Sequence, residues 1–317
     1  MSLSEIKKFI EANDNFAIIG HTNPDGDCVG SCMGLWYMLK TIGKNARVIM
    51  DTEDVPPFLR FIWNSESSGG EADSFDAYIA LDCAGADRLA RFKDEFCSFK
   101  NTACIDHHRT NVGFAGVNAI FPEAAATGEI IYRLAKEMSN LTLTAEAAEC
   151  IYTAIASDTG GFKYSSTTGD TLRAGADLLD IGLDSAAIHK RLFDTYTLGQ
   201  IQLISDITST LSMHFGGKVA VISVTDELLS SRGMRADDAD FLVSLPRSIE
   251  GVEVGVFLKK RGSDVKVSLR SGDSADVSEI AARLGGGGHI RAAGITLKNT
   301  NLVKAKEIIL EEVKNLF

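Results

Sequence analysis

Four short apolar runs, at residues 16–20, 46–50, 76–81 and 102–105, alternate with helical patterns at 4–12, 28–42, 86–93, 127–138 and 144–156. Short apolar runs separated by helices predict a mostly parallel sheet with helices on both faces. Three of the runs end in residues that carry chemistry. Phe16-Ala17-Ile18-Ile19-Gly20 leads into His21-Thr22-Asn23-Pro24-Asp25-Gly26-Asp27. Ala77-Tyr78-Ile79-Ala80-Leu81 leads into Asp82, and Thr102-Ala103-Cys104-Ile105 into Asp106-His107-His108. Open sheets of this kind take their ligands beyond the carboxyl ends of the strands. A fourth candidate, Asp158, ends an apolar segment and is followed by Thr159-Gly160-Gly161.

Read singly, Asp25, Asp82 and Asp158 serve as well for capping a helix as for binding a ligand. A hydrogen-bonded core histidine is the alternative for either member of the adjacent pair, but three consecutive titratable residues after an apolar strand are hard to explain as packing. Read together, His21, Asp25, Asp27, Asp82, His107 and Asp158 make six ligands in one acidic region. That number suits two divalent ions that share a carboxylate. Imidazoles among carboxylates lean toward Mn²⁺, with Mg²⁺ and Co²⁺ open. Adjacent side chains on regular backbone face different ways, so one of His107 and His108 would meet metal and the other substrate.

The chain has 317 residues and a net charge of −11, with 45% hydrophobic and 24% charged residues. This is the composition of a globular protein of about two domains. Residues 1–190 carry 16 Lys+Arg against 27 Asp+Glu, whereas residues 191–317 carry 16 of each. An acidic chain makes a poor track along a duplex backbone, so duplex nucleic acid is not an expected partner. No apolar run reaches the roughly 18 residues of a membrane span, so no membrane partner is expected. The polar start, Met1-Ser2-Leu3-Ser4-Glu5, lacks a signal-peptide core, which points to the cytoplasm. The six cysteines form no Cys-x-x-Cys pair and read as reduced core thiols. Oligomeric state is left open, a homodimer included.

The second half reads as a helix at 168–181, a helical connector at 185–212 and a strand at 218–224. A hairpin follows, 252–258 with 265–269, across a solvated tip holding Lys259, Lys260 and Arg261. Helices are expected at 275–284 and 302–316. The domains are therefore expected at 1–184 and 213–317, the second a smaller α/β domain with a mixed sheet, joined by the 185–212 linker. His189 is expected on the linker surface, without a role. Arg270-Ser271 ends a hairpin strand, and the run Gly285-Gly286-Gly287-Gly288 leads to His289, Ile290 and Arg291. The run lacks the Gly-Lys-Ser/Thr element of a phosphate-binding loop. Arg270, Ser271, Gly287, Gly288, His289 and Arg291 are candidates for holding phosphate or base, since an arginine fork binds phosphate through two parallel bonds. Arg109, directly after the histidine pair, is a further candidate.

Residues 16–164 resemble the DHH phosphoesterase superfamily, named for the triad seen here as Asp106-His107-His108. The first motif, Asp82 and Asp158 follow its other signatures in order. The segment Gly285 to Gly294 resembles a DHH-associated domain. The two together are most similar to the NrnA-type branch, whose members degrade very short RNA and dephosphorylate adenosine 3′,5′-bisphosphate (pAp). By position, the resemblance implies that His21 and Asp25 bind one ion, that Asp27, His107 and Asp158 bind the other, and that Asp82 bridges them. It implies that Asp106 orients a metal ligand and that His108 faces the phosphate. Short single-stranded RNA and small nucleotides are the implied substrates. Alternatives are turnover of cyclic di-AMP or pApA, pyrophosphate or polyphosphate hydrolysis, and a catalytically silent nucleotide sensor.

Overall fold

The computed structural model describes residues 2–50, 52–68, 75–234, 236–272 and 275–316. It divides into two compact units, Met1–Thr195 and Tyr196–Phe317. The first unit runs α1 (Leu3–Glu11), β1 (Asn15–Ile19), α2 (Gly26–Thr41), β2 (Asn45–Val48), β3 (Ala77–Leu81), α3 (Lys93–Ser98), β4 (Thr102–Asp106), β5 (Val117–Ile120), α4 (Thr127–Glu137), α5 (Ala145–Asp158), α6 (Gly169–Leu179) and α7 (Ser185–Phe193).

Its five strands lie in the order β2-β1-β3-β4-β5, all parallel. The apolar runs are continuous because both faces are covered. Phe16 and Ile18 point into a core with α1, α2, α4 and α5. Ala17 and Ile19 point into a second core with Tyr78, Phe96 and Cys104. Strand order reverses between β1 and β3, which opens a crevice at their carboxyl ends. His21 and Asp82 follow those two strands. The helix expected at 86–93 is instead a pair of 3₁₀ turns kinked at Ala90, whose φ is 46°. Strand β5 has a polar Asn118 in the middle of four residues, which hid it from a hydropathy reading.

Helices α2 and α5 pack antiparallel along a stripe of glycines one turn apart. A Cβ at Gly26 would lie 2.3 Å from Ser157 Oγ, one at Gly30 2.5 Å from the Cys150 carbonyl oxygen, and one at Gly34 2.7 Å from Ile151 Cγ1. This approach sets the start of α2 beside the end of α5, where Asp158 stands.

The second unit runs α8 (Leu198–Thr208), β6 (Ser212–His214), β7 (Val219–Val224), α9 (Asp226–Ser231), β8 (Val254–Arg261), β9 (Asp264–Ser271), α10 (Val277–Arg283), β10 (Gly287–His289), β11 (Ala292–Leu297) and α11 (Leu302–Val313). Its mixed sheet has the order β10-β11-β9-β8-β7-β6, with only β7 and β8 parallel. The stretch 185–212 holds two helices, because Thr197 and Gln200 form a capping box that starts α8 afresh. His189 is not a bare surface residue. It stacks on Phe162 at 6.3 Å and meets the Tyr152 hydroxyl at 3.2 Å.

The hairpin turns more tightly than expected, with Arg261 paired to Asp264 across Gly262-Ser263. Lys259 therefore lies inside β8 and is fully buried, its ammonium paired with Asp240. Among the described residues no helix is long and apolar enough to cross a membrane.

The glycine stripe gives a direct test. Gly30→Val drives two methyl groups into the α5 backbone and should cost about 3 kcal/mol or more of unfolding free energy in urea titrations.

Candidate metal centre

Each residue of the centre is placed by a local rule. Asp25 is the N-cap of α2, its Oδ1 accepting from the Cys28 amide at 3.0 Å. Two residues on, Asp27 is fully buried in the first turn of α2 and spends its oxygens on another helix. Its Oδ2 accepts from the Thr127 amide at 2.6 Å and its Oδ1 from the Gly128 amide at 2.9 Å. The Ser31 hydroxyl adds a third bond at 2.9 Å. Helix α4 has no side-chain cap of its own, so Asp27 caps it from outside. The cap reading and the ligand reading of these aspartates are both built into the fold.

Asp82 stands at the middle. It is buried, and its φ of 58° is a left-handed conformation that Asp tolerates better than most residues. Its Oδ2 is 3.4 Å from His21 Nε2, and its Oδ1 is 3.6 Å from His107 Nε2. The Thr127 hydroxyl donates to the same Oδ1 at 3.0 Å.

His107 Nε2 is also 3.3 Å from Asp158 Oδ2 and 3.7 Å from Asp27 Oδ2. Asp27, His107 and Asp158 offer ligand atoms within 4.8 Å of one another, as do His21, Cys28 and Asp82. His21 Nε2 is 3.8 Å from Asp25 Oδ1. All six residues expected to bind metal are thus in one cluster. Burial holds the Cys28 thiol well above the usual cysteine range. Burial, then the neighbouring carboxylates, push Asp27 and Asp158 well above the usual carboxylate range. A nest of carboxylates and imidazoles that resists its own negative charge is a donor set suited to divalent cations.

The Asp-His-His triad divides as the strand geometry requires. Asp106 and His108, two apart at the end of β4, share a side, and His108 Nδ1 meets Asp106 Oδ1 at 2.7 Å. Asp106 therefore orients His108, the residue expected to face phosphate, and not one of the expected metal ligands. Burial opposes charge on His108, but Asp106, Asp82 and Asp158 outweigh it and hold the imidazole above its ordinary range.

His107 turns the other way, its Nδ1 3.4 Å from the Ala124 carbonyl oxygen. Asn111 had no assigned part, yet its Nδ2 donates to Asp106 Oδ2 at 2.7 Å and to the Cys83 carbonyl at 3.0 Å. Only its place five residues after Asp106 hinted at this. Arg88 was likewise overlooked, and its Nη2 lies 2.9 Å from His21 Nδ1. Arg109, by contrast, is exposed and makes no hydrogen bond or ion pair with other described residues.

In the second unit, Ser271 and Arg291 converge on one loop. Ser271 Oγ and Arg291 Nη1 both donate to the Ala275 carbonyl, at 2.7 and 2.8 Å. The Ser271 amide donates to the Arg291 carbonyl at 3.0 Å. Arg270 lies opposite Ala292 in the sheet, with Nη1 on the Leu269 carbonyl. The glycine run is not a bare loop: Gly287, Gly288 and His289 form the edge strand β10 against β11. Cβ atoms at Gly286 and Gly288 would lie 2.2 Å and 2.4 Å from the Gly294 and Ala292 carbonyl oxygens. The His289 backbone is in that strand, and its side chain lies outside the described part of the structure.

Comparison with known proteins agrees with both units. Residues 15–155 match the DHH family, N-terminal domain, and residues 204–317 match the DHHA1 domain. The chain belongs to the DHH family, in a form that also carries a DHHA1 domain. It is 36% identical over 315 residues to the bifunctional oligoribonuclease and PAP phosphatase NrnA of Thermus thermophilus, covering 98% of this chain and 92% of that one. The crystal structure of an exopolyphosphatase-related protein from Bacteroides fragilis matches with a TM-score of 0.90 at 29% identity, over 99% of this chain and 96% of that one. The cyclic-di-AMP phosphodiesterase PdeA of Listeria monocytogenes is 23% identical over 97% of this chain but 48% of its own length.

Asn111 tests the triad's support. Asn111→Ala leaves the Cys83 carbonyl and an Asp106 oxygen without their buried donor, and should lower unfolding free energy in chelator-treated protein by about 2 kcal/mol.

Proposed function

We propose that this chain is a two-metal phosphoesterase that degrades very short single-stranded RNA to mononucleotides and removes phosphate from pAp. The observation that carries the reading is the position of Asp82, within 3.6 Å of imidazoles from both halves of the cluster. The names of the relatives supply the substrates. Asp27, His107 and Asp158 would hold one divalent ion, His21 and Asp25 a second, with Asp82 shared. Mn²⁺ is the ion we favour for two imidazoles among carboxylates, with Mg²⁺ and Co²⁺ as alternatives. When bound, such a pair activates water and neutralises charge on phosphate.

The chain's own groups do the rest. The amides at the start of α4 hold Asp27 in place, and Thr127 holds Asp82. With Nδ1 committed to Asp106, any proton His108 gives to the leaving oxygen is carried on Nε2. A cationic imidazole there also opposes charge that develops on the phosphoryl oxygens. Arg109 in the first unit, and Arg270, Ser271, Gly287, Gly288, His289 and Arg291 in the second, are each candidates for binding phosphate or base. The net charge of −11 argues against duplex substrates and against long strands that would need an extended electrostatic track.

The second reading, cyclic di-AMP or pApA turnover, is raised by the Listeria relative. Product release in Mn²⁺ from pAp, pApA, cyclic di-AMP and RNA from dinucleotides upward separates the two. Fast release from pAp and the shortest RNA, fading with length, is expected. A preference for cyclic di-AMP or pApA would replace it with the second reading. Asp82→Asn should lower kcat by about a thousandfold or more, the scale of losing a transition-state electrostatic contact. Wild-type turnover in that variant would sink the shared-carboxylate assignment. Chelation should stop the reaction, and added Mn²⁺ should restore it.

A further inference from the structure

We infer that Arg88 is the first unit's own phosphate-binding residue. It sits on the turn that follows Asp82, and its backbone is tied to the first motif, because the Thr22 amide donates to the Arg88 carbonyl at 3.0 Å. The guanidinium is thereby delivered to the rim of the cluster, with Nη2 2.9 Å from His21 Nδ1. That contact is a poor use of an arginine. The same Nδ1 lies 2.9 Å from the Thr22 carbonyl oxygen, and one ring nitrogen cannot donate to the carbonyl and accept from the guanidinium at once.

The tautomer that leaves Nε2 open toward Asp25 and Asp82 carries its proton on Nδ1 and bonds Thr22. In that tautomer the Arg88 donor has no acceptor on the ring. Among the described residues Arg88 makes no ion pair with a carboxylate, although Asp25 and Asp82 both lie within 3.8 Å of its partner His21. The residue as a whole is exposed, while its contact with His21 is half-buried, which places the fork at the border between cluster and solvent. A planar guanidinium beside a cluster suited to divalent cations, with a donor to spend, matches a phosphoryl group in shape and charge. Arg109, the arginine the sequence favoured in this unit, has no such link to the cluster.

The inference rests on the phosphoesterase reading, but its test does not need turnover. Mn²⁺ is titrated into metal-free protein, and inorganic phosphate and AMP into Mn²⁺-loaded protein, by calorimetry, for wild type, Arg88→Ala and Arg88→Lys. Loss of a charge-assisted pair predicts that phosphate and AMP affinity falls about tenfold or more in Arg88→Ala, is partly kept in Arg88→Lys, and that Mn²⁺ affinity stays within about twofold. On pAp the alanine variant should raise KM by a similar factor, with a smaller change in kcat. Unchanged phosphate and AMP affinity in Arg88→Ala overturns the inference. So does a Mn²⁺ affinity that falls in step with anion affinity, because Arg88 would then be a prop for His21. A wild-type protein that binds phosphate through Arg88 but turns over no nucleotide would remove the proposed function and leave this site standing.

Discussion

The close packing of α2 on α5 is the contact on which the rest depends. Three glycines, one per turn, let two helices approach until an added Cβ would collide with backbone at Gly30 and with side chains of α5 at Gly26 and Gly34. That approach fixes the carboxylates of α2 and Asp158 of α5 on one cluster, although more than a hundred residues separate them in the chain. Asp27 then extends the arrangement to α4, whose first amides it caps. The positive end of α4 is thus turned toward the carboxylates, where it partly offsets their charge. Packing, capping and ligand geometry are one arrangement, and a change in helix spacing is also a change in the site.

Much of this was legible in the sequence. The alternation of apolar runs and helices is enough for a parallel sheet, and a parallel sheet puts strand ends where ligands bind. His21, Asp82 and the triad could be placed because they end apolar runs. The less legible parts are those that depend on pairs distant in sequence. Nothing near Asp27 announces that it caps α4, and nothing near Thr127 announces that its hydroxyl reaches Asp82. Arg88 was hidden for a similar reason: its partner is His21, sixty-seven residues earlier. The partner of Asp106 was legible in principle, since residues two apart on a strand share a face, and His108 lies at that spacing.

In the second unit the glycine run shows how one sequence feature can serve two masters. It reads as backbone made available to a ligand. In the structure it is also an edge strand pressed against β11, where side chains at Gly286 and Gly288 would meet carbonyl oxygens. Lys259 shows the opposite error. Three basic residues beside a glycine read as a solvated tip, yet the turn is two residues long, so Lys259 falls within the strand and needs Asp240 to bury its charge. Strand register, which local composition does not fix, decided between the two environments.

Asp82 adopts a left-handed backbone that only glycine, asparagine and aspartate visit cheaply. Drift at that position is therefore channelled. Asparagine can replace it with little backbone strain, whereas alanine or glutamate would strain the turn that carries Cys83 and Arg88. A single-step exchange of a carboxylate for an amide removes a charge from the middle of the cluster and leaves the architecture around it intact. The backbone torsion at this turn thus leaves one cheap way to lose the central charge, and only the chemistry of the cluster stands against it.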